Sequence, residues 1–173
     1  MEAPLLEFLC RRFGLELALS IQERWRANFG LAPGTAALPG GRHQEYDDLV
    51  ALLNEYACET SEEIQSVARW LAFTCKGENH LWEDLGLPER PALTSLIGEC
   101  FPCLRQLNSQ NMRWKKFFYK QLCNREQVFA CRAPTCDQCC EFALCFETPS
   151  DPDWQFPIAL TARTKVEPIG LAD

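Results

Sequence analysis

The chain has 173 residues, 47% of them hydrophobic and 24% charged, with a formal net charge of −7, an ordinary globular composition that argues against disorder, collagen and coiled coil and gives enough length for one core without staples. No run approaches the ~18 apolar residues of a membrane helix; Glu2, Glu7 and Glu16 interrupt any export-signal core, and Arg11-Arg12 lacks the uncharged stretch of a twin-arginine signal, so a cytoplasmic location is expected. The acidic balance also argues against nucleic-acid binding, which needs neutralised phosphates.

Helical spacing of Leu5, Leu6, Leu9, Phe13, Leu17 and Ile21 predicts a first helix over 4–26, weakened at Gly14. Residues 30–41 hold four glycines and two prolines and read as a linker, so the N-terminal helix is expected to pack loosely or separately. Tyr46, Leu49, Val50, Leu53 and Ala57 form one stripe of a helix over 45–57. The next helix is expected to start at Thr60 as N-cap with Glu63 closing a capping box, and carries Ile64, Val67, Ala68, Leu71 and Cys75. A short helix or turn over 78–87 follows, then a helix opened by Pro88 or Pro91 and broken by Pro102. The last long helix is expected over 111–126, with Trp114, Phe117, Phe118, Gln121 and Leu122 on one side and Arg113, Lys116 and Lys120 on another. Nothing alternates like a strand for long, and the proline-bearing segment after Thr148 reads as an irregular tail. The expected fold is all-α: a compact multi-helix domain over 43–147 with an irregular cysteine-rich loop near its C-terminus, preceded by the 1–42 helix and linker and followed by the 148–173 tail.

Eleven cysteines, an odd number, stand in the chain, and five of them fall between Cys131 and Cys145. In a reducing compartment such crowding points to metal or redox chemistry rather than disulfides. Cys131, Cys136, Cys139 and Cys145 give C-x4-C-x2-C-x5-C, spacers short enough for the chain to wrap one centre. Thiolates are soft ligands, suited to zinc or iron–sulfur clusters. A zinc site built from two knuckles, Cys100-Phe-Pro-Cys103 and Cys136-Asp-Gln-Cys139, is the rival. Cys140 leaves a choice of third ligand, since C-x4-C-x3-C-x4-C is also feasible. Cys10, Cys58, Cys75 and Cys123 fall on or beside apolar helix faces and read as core residues.

Three blocks in order, His80-Leu-Trp-Glu-Asp-Leu-Gly-Leu87, Met112-Arg-Trp-Lys-Lys-Phe-Phe-Tyr-Lys-Gln-Leu-Cys123 and Cys131 through Cys145-Phe146, resemble the NifQ family of nitrogen-fixation proteins. Glu45-Tyr-Asp-Asp-Leu-Val50 is a weaker fourth block. The resemblance implies a non-enzymatic iron–sulfur protein, with a 3Fe-4S or 4Fe-4S type cluster, that carries molybdenum for the iron–molybdenum cofactor of nitrogenase. It implies Cys131, Cys136, Cys139 and Cys145 as ligands, and molybdate, the cofactor-assembly scaffold NifEN and the nitrogenase iron protein as partners. A cuboid with one vacant corner lined by sulfides suits this cargo: three cysteines hold irons, and the fourth binds or releases the heterometal. A zinc-stabilised interaction module and a small electron-transfer protein are the alternatives.

Charge supplies the accessory candidates. From Arg105 to Arg132 there are seven basic residues and one acid, Glu126. Arg132, Lys116 and Lys120 are candidates for attracting a thiolate cluster, molybdate or an acidic partner, against the plainer reading of a solvated helix face. His80 is a candidate accessory ligand or loop-fixing group, against a satisfied structural histidine.

Overall fold

The computed structural model describes residues 1–30 and 43–126, which form eight helices and no β-strand. In chain order these are α1 (Ala3–Phe13), α2 (Leu15–Asn28), α3 (His43–Glu55), α4 (Glu62–Thr74), α5 (Leu81–Asp84), α6 (Arg90–Cys100), α7 (Pro102–Leu107) and α8 (Trp114–Glu126). The all-α expectation is met. The segment from residue 127 onward, with every cysteine of the 131–145 motif, lies outside the described residues, as does the 31–42 linker.

Helix α4 is the central element. Val67, Ala68, Leu71 and Ala72 are fully buried, and the two alanines leave room for neighbouring backbones to approach. Helices α1, α3 and α5 all pack on it. Its N-cap is Ser61, whose hydroxyl accepts from the Ile64 N–H at 3.4 Å, one residue later than the Thr60 expected. Glu63 closes no capping box there. Its carboxylate turns outward to the Arg11 guanidinium and joins α1 to α4.

The single helix expected over 4–26 is two helices. Gly14, at φ 82° and ψ 157°, lies outside the helical region, and its missing Cβ lets the chain reverse there. Helices α1 and α2 then fold against each other. Leu5, Phe8, Leu9, Ala18, Ile21 and Trp25 enter the same hydrophobic core as α4, and the Trp25 indole N–H donates to Thr74 Oγ1 at 2.9 Å. Arg12 reaches α6 through Ser95 at 2.8 Å and Glu99 at 3.0 Å.

Helix α6 ends at Cys100, as the break expected at Pro102 requires. The chain turns at buried Phe101 (φ −137°, ψ 63°), and Pro102 opens α7, where its missing N–H has no helical partner to lose. Helix α8 begins at Trp114 rather than 111 because the Asn108 side chain holds the preceding turn: its amide donates to the Met112 carbonyl at 2.9 Å, and its Oδ1 accepts from the Met112 N–H at 2.8 Å. Trp114, Phe117 and Phe118 are buried as the apolar stripe predicts, packed edge-on or tilted with ring centroids 5.6 to 6.2 Å apart.

Candidate functional site

Two strong contacts fix α8. Lys115 Nζ donates to Asp84 Oδ2 at 2.5 Å and to the Gly77 carbonyl at 2.7 Å. Asp84 is only 2% exposed, and its other oxygen accepts from Asn79 Nδ2 at 3.0 Å. The Tyr119 hydroxyl donates to Glu45 Oε1, and toward the far end of α8 Arg125 pairs with Glu55 at 3.4 Å. Residues 45–50, 80–87 and 112–123, far apart in sequence, therefore meet around one helix.

Where the α4–α5 connection faces the start of α8, a cleft of about 400 Å³ opens between Glu78–Glu83, Arg90, Leu93 and Arg113–Lys116. Its apolar members Leu81, Leu93 and Trp114 are at most 3% exposed, while Trp82 is half-buried and the carboxylates of Glu78 and Glu83 are exposed, so the wall mixes apolar and charged surface. His80 stands exposed on the rim at the N-cap of α5, and its backbone N–H donates to Glu83 Oε2 at 2.9 Å. It is not a core histidine. Lys116 and Arg113 line the same cleft, half-buried, so the structure brings His80 and Lys116 together. Lys120, also half-buried, lies a turn further along α8 and does not line it. The basic stripe is thus not a uniformly solvated face.

Arg90 was not among the sequence candidates. Its Nη2 donates to the Asn111 carbonyl at 2.7 Å, to Asn111 Oδ1 at 3.1 Å and to the Met112 carbonyl at 3.3 Å, holding the turn that aims Arg113. Its position before Pro91, at the start of α6, is the only sequence signal it carried.

The cysteines within the described residues divide by burial. Cys75 and Cys100 are in the core, and burial pushes both thiols up to about 12. A thiol held protonated is a poor metal ligand. Cys103 is exposed on α7 while Cys100 faces the core, so the pair does not present two thiolates to one ion, and the two-knuckle zinc reading loses its first thiolate. Cys58 is exposed and Cys10 and Cys123 are half-buried, so only Cys75 of the four expected core cysteines is fully buried. Among the described residues no group of three or more His, Cys, Asp or Glu side chains is placed to hold a metal ion. Cys131, Cys136, Cys139, Cys140, Cys145 and Arg132 lie outside the described residues.

Fold and site together define a class: a helical protein with a charged cleft at the start of the last helix among the described residues and a cysteine-rich segment following that helix in sequence. The NifQ family model matches residues 14–147, more than three quarters of the chain and the whole cysteine motif. The chain belongs to the NifQ family, the nitrogen-fixation family associated with molybdenum handling for the iron–molybdenum cofactor. Among curated relatives, Protein NifQ of Azotobacter vinelandii is 44% identical over 106 residues, covering 61% of this chain and 54% of the relative. Protein NifQ of Rhodobacter capsulatus is 49% identical over 83 residues, 46% of each chain, and that of Klebsiella pneumoniae 41% identical over 112 residues, 56% of this chain and 67% of the relative. The match spans about half the length of the first two of these relatives. No solved structure matches the chain. No helix among the described residues is long and apolar enough to cross a membrane.

Proposed function

We propose that this chain is an iron–sulfur carrier that binds molybdenum and supplies it for assembly of the nitrogenase iron–molybdenum cofactor, without turning over an organic substrate. The observation that carries the reading is that the family match extends from α2 through Cys145, taking the helical body and the thiolate motif as one unit. Cys131, Cys136, Cys139 and Cys145 are the proposed thiolates, with Cys140 the alternative to Cys139. Their softness fits iron and molybdenum in sulfur-rich surroundings. Within the described residues no competing donor set is assembled, and Cys75 and Cys100 are kept protonated by burial.

A bound iron–sulfur cluster would supply soft sulfide donors to the molybdenum cargo. Cys131, Cys136, Cys139 and Cys145 would hold that centre. Buried Trp114, Phe117 and Phe118 keep α8 rigid ahead of the motif. The proposed recipients are NifEN and the nitrogenase iron protein, with molybdate as the source.

Anaerobic purification with iron, acid-labile sulfide and molybdenum analysis tests this. Iron and sulfide are expected in the wild type, and separate Cys131→Ala, Cys136→Ala and Cys145→Ala changes should each strongly deplete iron, with Cys139→Ala more severe than Cys140→Ala. Normal iron in Cys131→Ala would overturn the ligand assignment. Iron and sulfide without molybdenum retention would instead favour an electron-transfer protein.

A further inference from the structure

We propose that Cys58 and Cys100 form a redox-responsive thiol pair, in which a low-molecular-weight disulfide such as oxidised glutathione reacts at Cys58 and Cys100 then closes an intramolecular disulfide. The pair stands outside the 131–145 motif and does not depend on the iron–sulfur reading. The first support is main-chain geometry. Cys58 lies in the connection between α3 and α4, and Cys100 is the last residue of α6. The Cys58 N–H donates to the Cys100 carbonyl at 2.9 Å. The last carbonyls of a helix have no partner inside it, so this bond caps α6 and holds the connection against it. A main-chain hydrogen bond of this length sets the two α-carbons roughly 5–6 Å apart, inside the ~4.4–6.8 Å that a disulfide spans.

The second support is the difference in access. Cys58 is exposed, whereas Cys100 is wholly buried and belongs to the core. An oxidant the size of glutathione therefore meets Cys58 first. Burial is the largest cause holding the Cys100 thiol up to about 12; Glu99, Cys58 and Glu59 add to it and Arg12 opposes it. Cys58 is thus within electrostatic reach of the Cys100 thiol. At neutral pH Cys100 is protonated, which keeps it from attacking an oxidant directly and leaves it as the slower, resolving partner.

The chemistry balances as two exchanges. The Cys58 thiolate attacks one sulfur of oxidised glutathione, forming a mixed disulfide and releasing one glutathione thiolate. Cys100, after losing its proton to water, attacks the Cys58 sulfur, forms the Cys58–Cys100 bond and expels the second glutathione thiolate. The two protein thiols are oxidised by two electrons, and the glutathione disulfide takes up those electrons and the two protons as two thiols. Closure places α4, α5 and α6 inside one covalent loop, and excess reduced glutathione reverses both steps.

The full chain, reduced and then exposed to oxidised glutathione without denaturant, tests the pair by peptide mass mapping after an iodoacetamide quench, with far-UV circular dichroism recorded throughout. A glutathione adduct at Cys58 is expected first, converting to a peptide cross-linked between Cys58 and Cys100. The conversion should quicken about tenfold per pH unit from pH 7 to about 9, since Cys100 reacts as its thiolate. Cys100→Ser should arrest the reaction at the Cys58 adduct, and Cys58→Ser should leave Cys100 unmodified. If Cys100→Ser does not fold, Cys103→Ser carries the test, because the cross-link should form at the wild-type rate without exposed Cys103. A Cys58 adduct that never converts, or a cross-link from Cys58 to Cys103 or to the 131–145 segment in its place, would overturn the proposal. So would a Cys58–Cys100 bond that appears only with loss of the native circular dichroism signal.

Discussion

Replacing Lys115 by methionine removes an ammonium while keeping most of the side chain's apolar stem. In the wild type that ammonium lies 2.5 Å from Asp84 Oδ2, with the lysine side chain 16% exposed and the aspartate 2%. The variant leaves a buried carboxylate that still accepts from the Asn79 side-chain amide and leaves the Gly77 carbonyl without its lysine donor. Breaking a buried pair by deleting one member costs about 3–5 kcal/mol, several times the ~0–1 kcal/mol of an exposed pair such as Arg11 with Glu63. With a urea slope of about 2 kcal/mol per molar for a domain of this size, the unfolding midpoint should fall by roughly 2 M, read by far-UV circular dichroism. Asp84→Asn combined with Lys115→Met removes both charges and should recover at least about half of the loss, since replacing both members of a pair is often nearly neutral. A Lys115→Met midpoint within about 0.3 M of wild type, on the same slope, would refute the claim that this pair anchors α8.

Three further outcomes follow from the packing and the charges. Gly77→Ala would place a Cβ 2.2 Å from Asp84 Oδ2, and because Lys115 and Asn79 hold that carboxylate, it should destabilise by about 1–3 kcal/mol, seen as a lower Tm. Iodoacetamide at mildly alkaline pH should label exposed Cys58 and Cys103 in the native protein but Cys75 and Cys100 only on unfolding; unfolded thiols ionise near ~8.5 while these two hold their protons to about 12, so their contribution to stability is intact below ~8.5 and is lost as pH rises toward 12, by about 1.4 kcal/mol per pH unit per thiol. Lys116→Glu with Lys120→Glu should leave helix content and cluster iron in place while lowering molybdenum loading, and the wild-type loading rate should fall with salt as the screening length shortens to about 8 Å; unchanged loading in the double variant would return the stripe to a solvated face.

Helical periodicity revealed most of the fold because each helix buries one stripe. Leu49 and Leu53 on α3, Val67 and Leu71 on α4, and Phe117 and Phe118 on α8 are all where a 3.6-residue period puts them. The errors came where one residue redirects the chain. Gly14 could be discounted as a weak spot in a continuous helix, since a glycine costs only about 1 kcal/mol there; that it reverses the chain depends on α1 and α2 packing on each other and burying their apolar faces in one shared core, which no local pattern reports. Thr60 and Ser61 are both competent caps, and the choice between them is linked to Glu63 being drawn to Arg11, 52 residues away. The break expected at Pro102 is there, since α6 ends at Cys100, but that a further short helix opens at Pro102 was not read from the sequence. The site shows the same division: His80, Arg113 and Lys116 were visible as charge and chemistry, but their sharing one cleft was not, because it depends on Asp84 meeting Lys115.

That meeting also explains why a helix with an unfavourably charged beginning is stable. Three cations at the positive end of α8 oppose its dipole, each by about 0.3–1 kcal/mol, and α8 offers no acidic residue in its first turn to offset them. The compensation comes from elsewhere in the fold: Asp84 of α5 reaches Lys115, Glu45 of α3 accepts from Tyr119, and the aromatic stripe is fully packed. Because those contacts use the inner side of α8, Arg113 and Lys116 remain on the cleft side. The cleft takes the beginning of α8, and the cysteines follow its end in sequence.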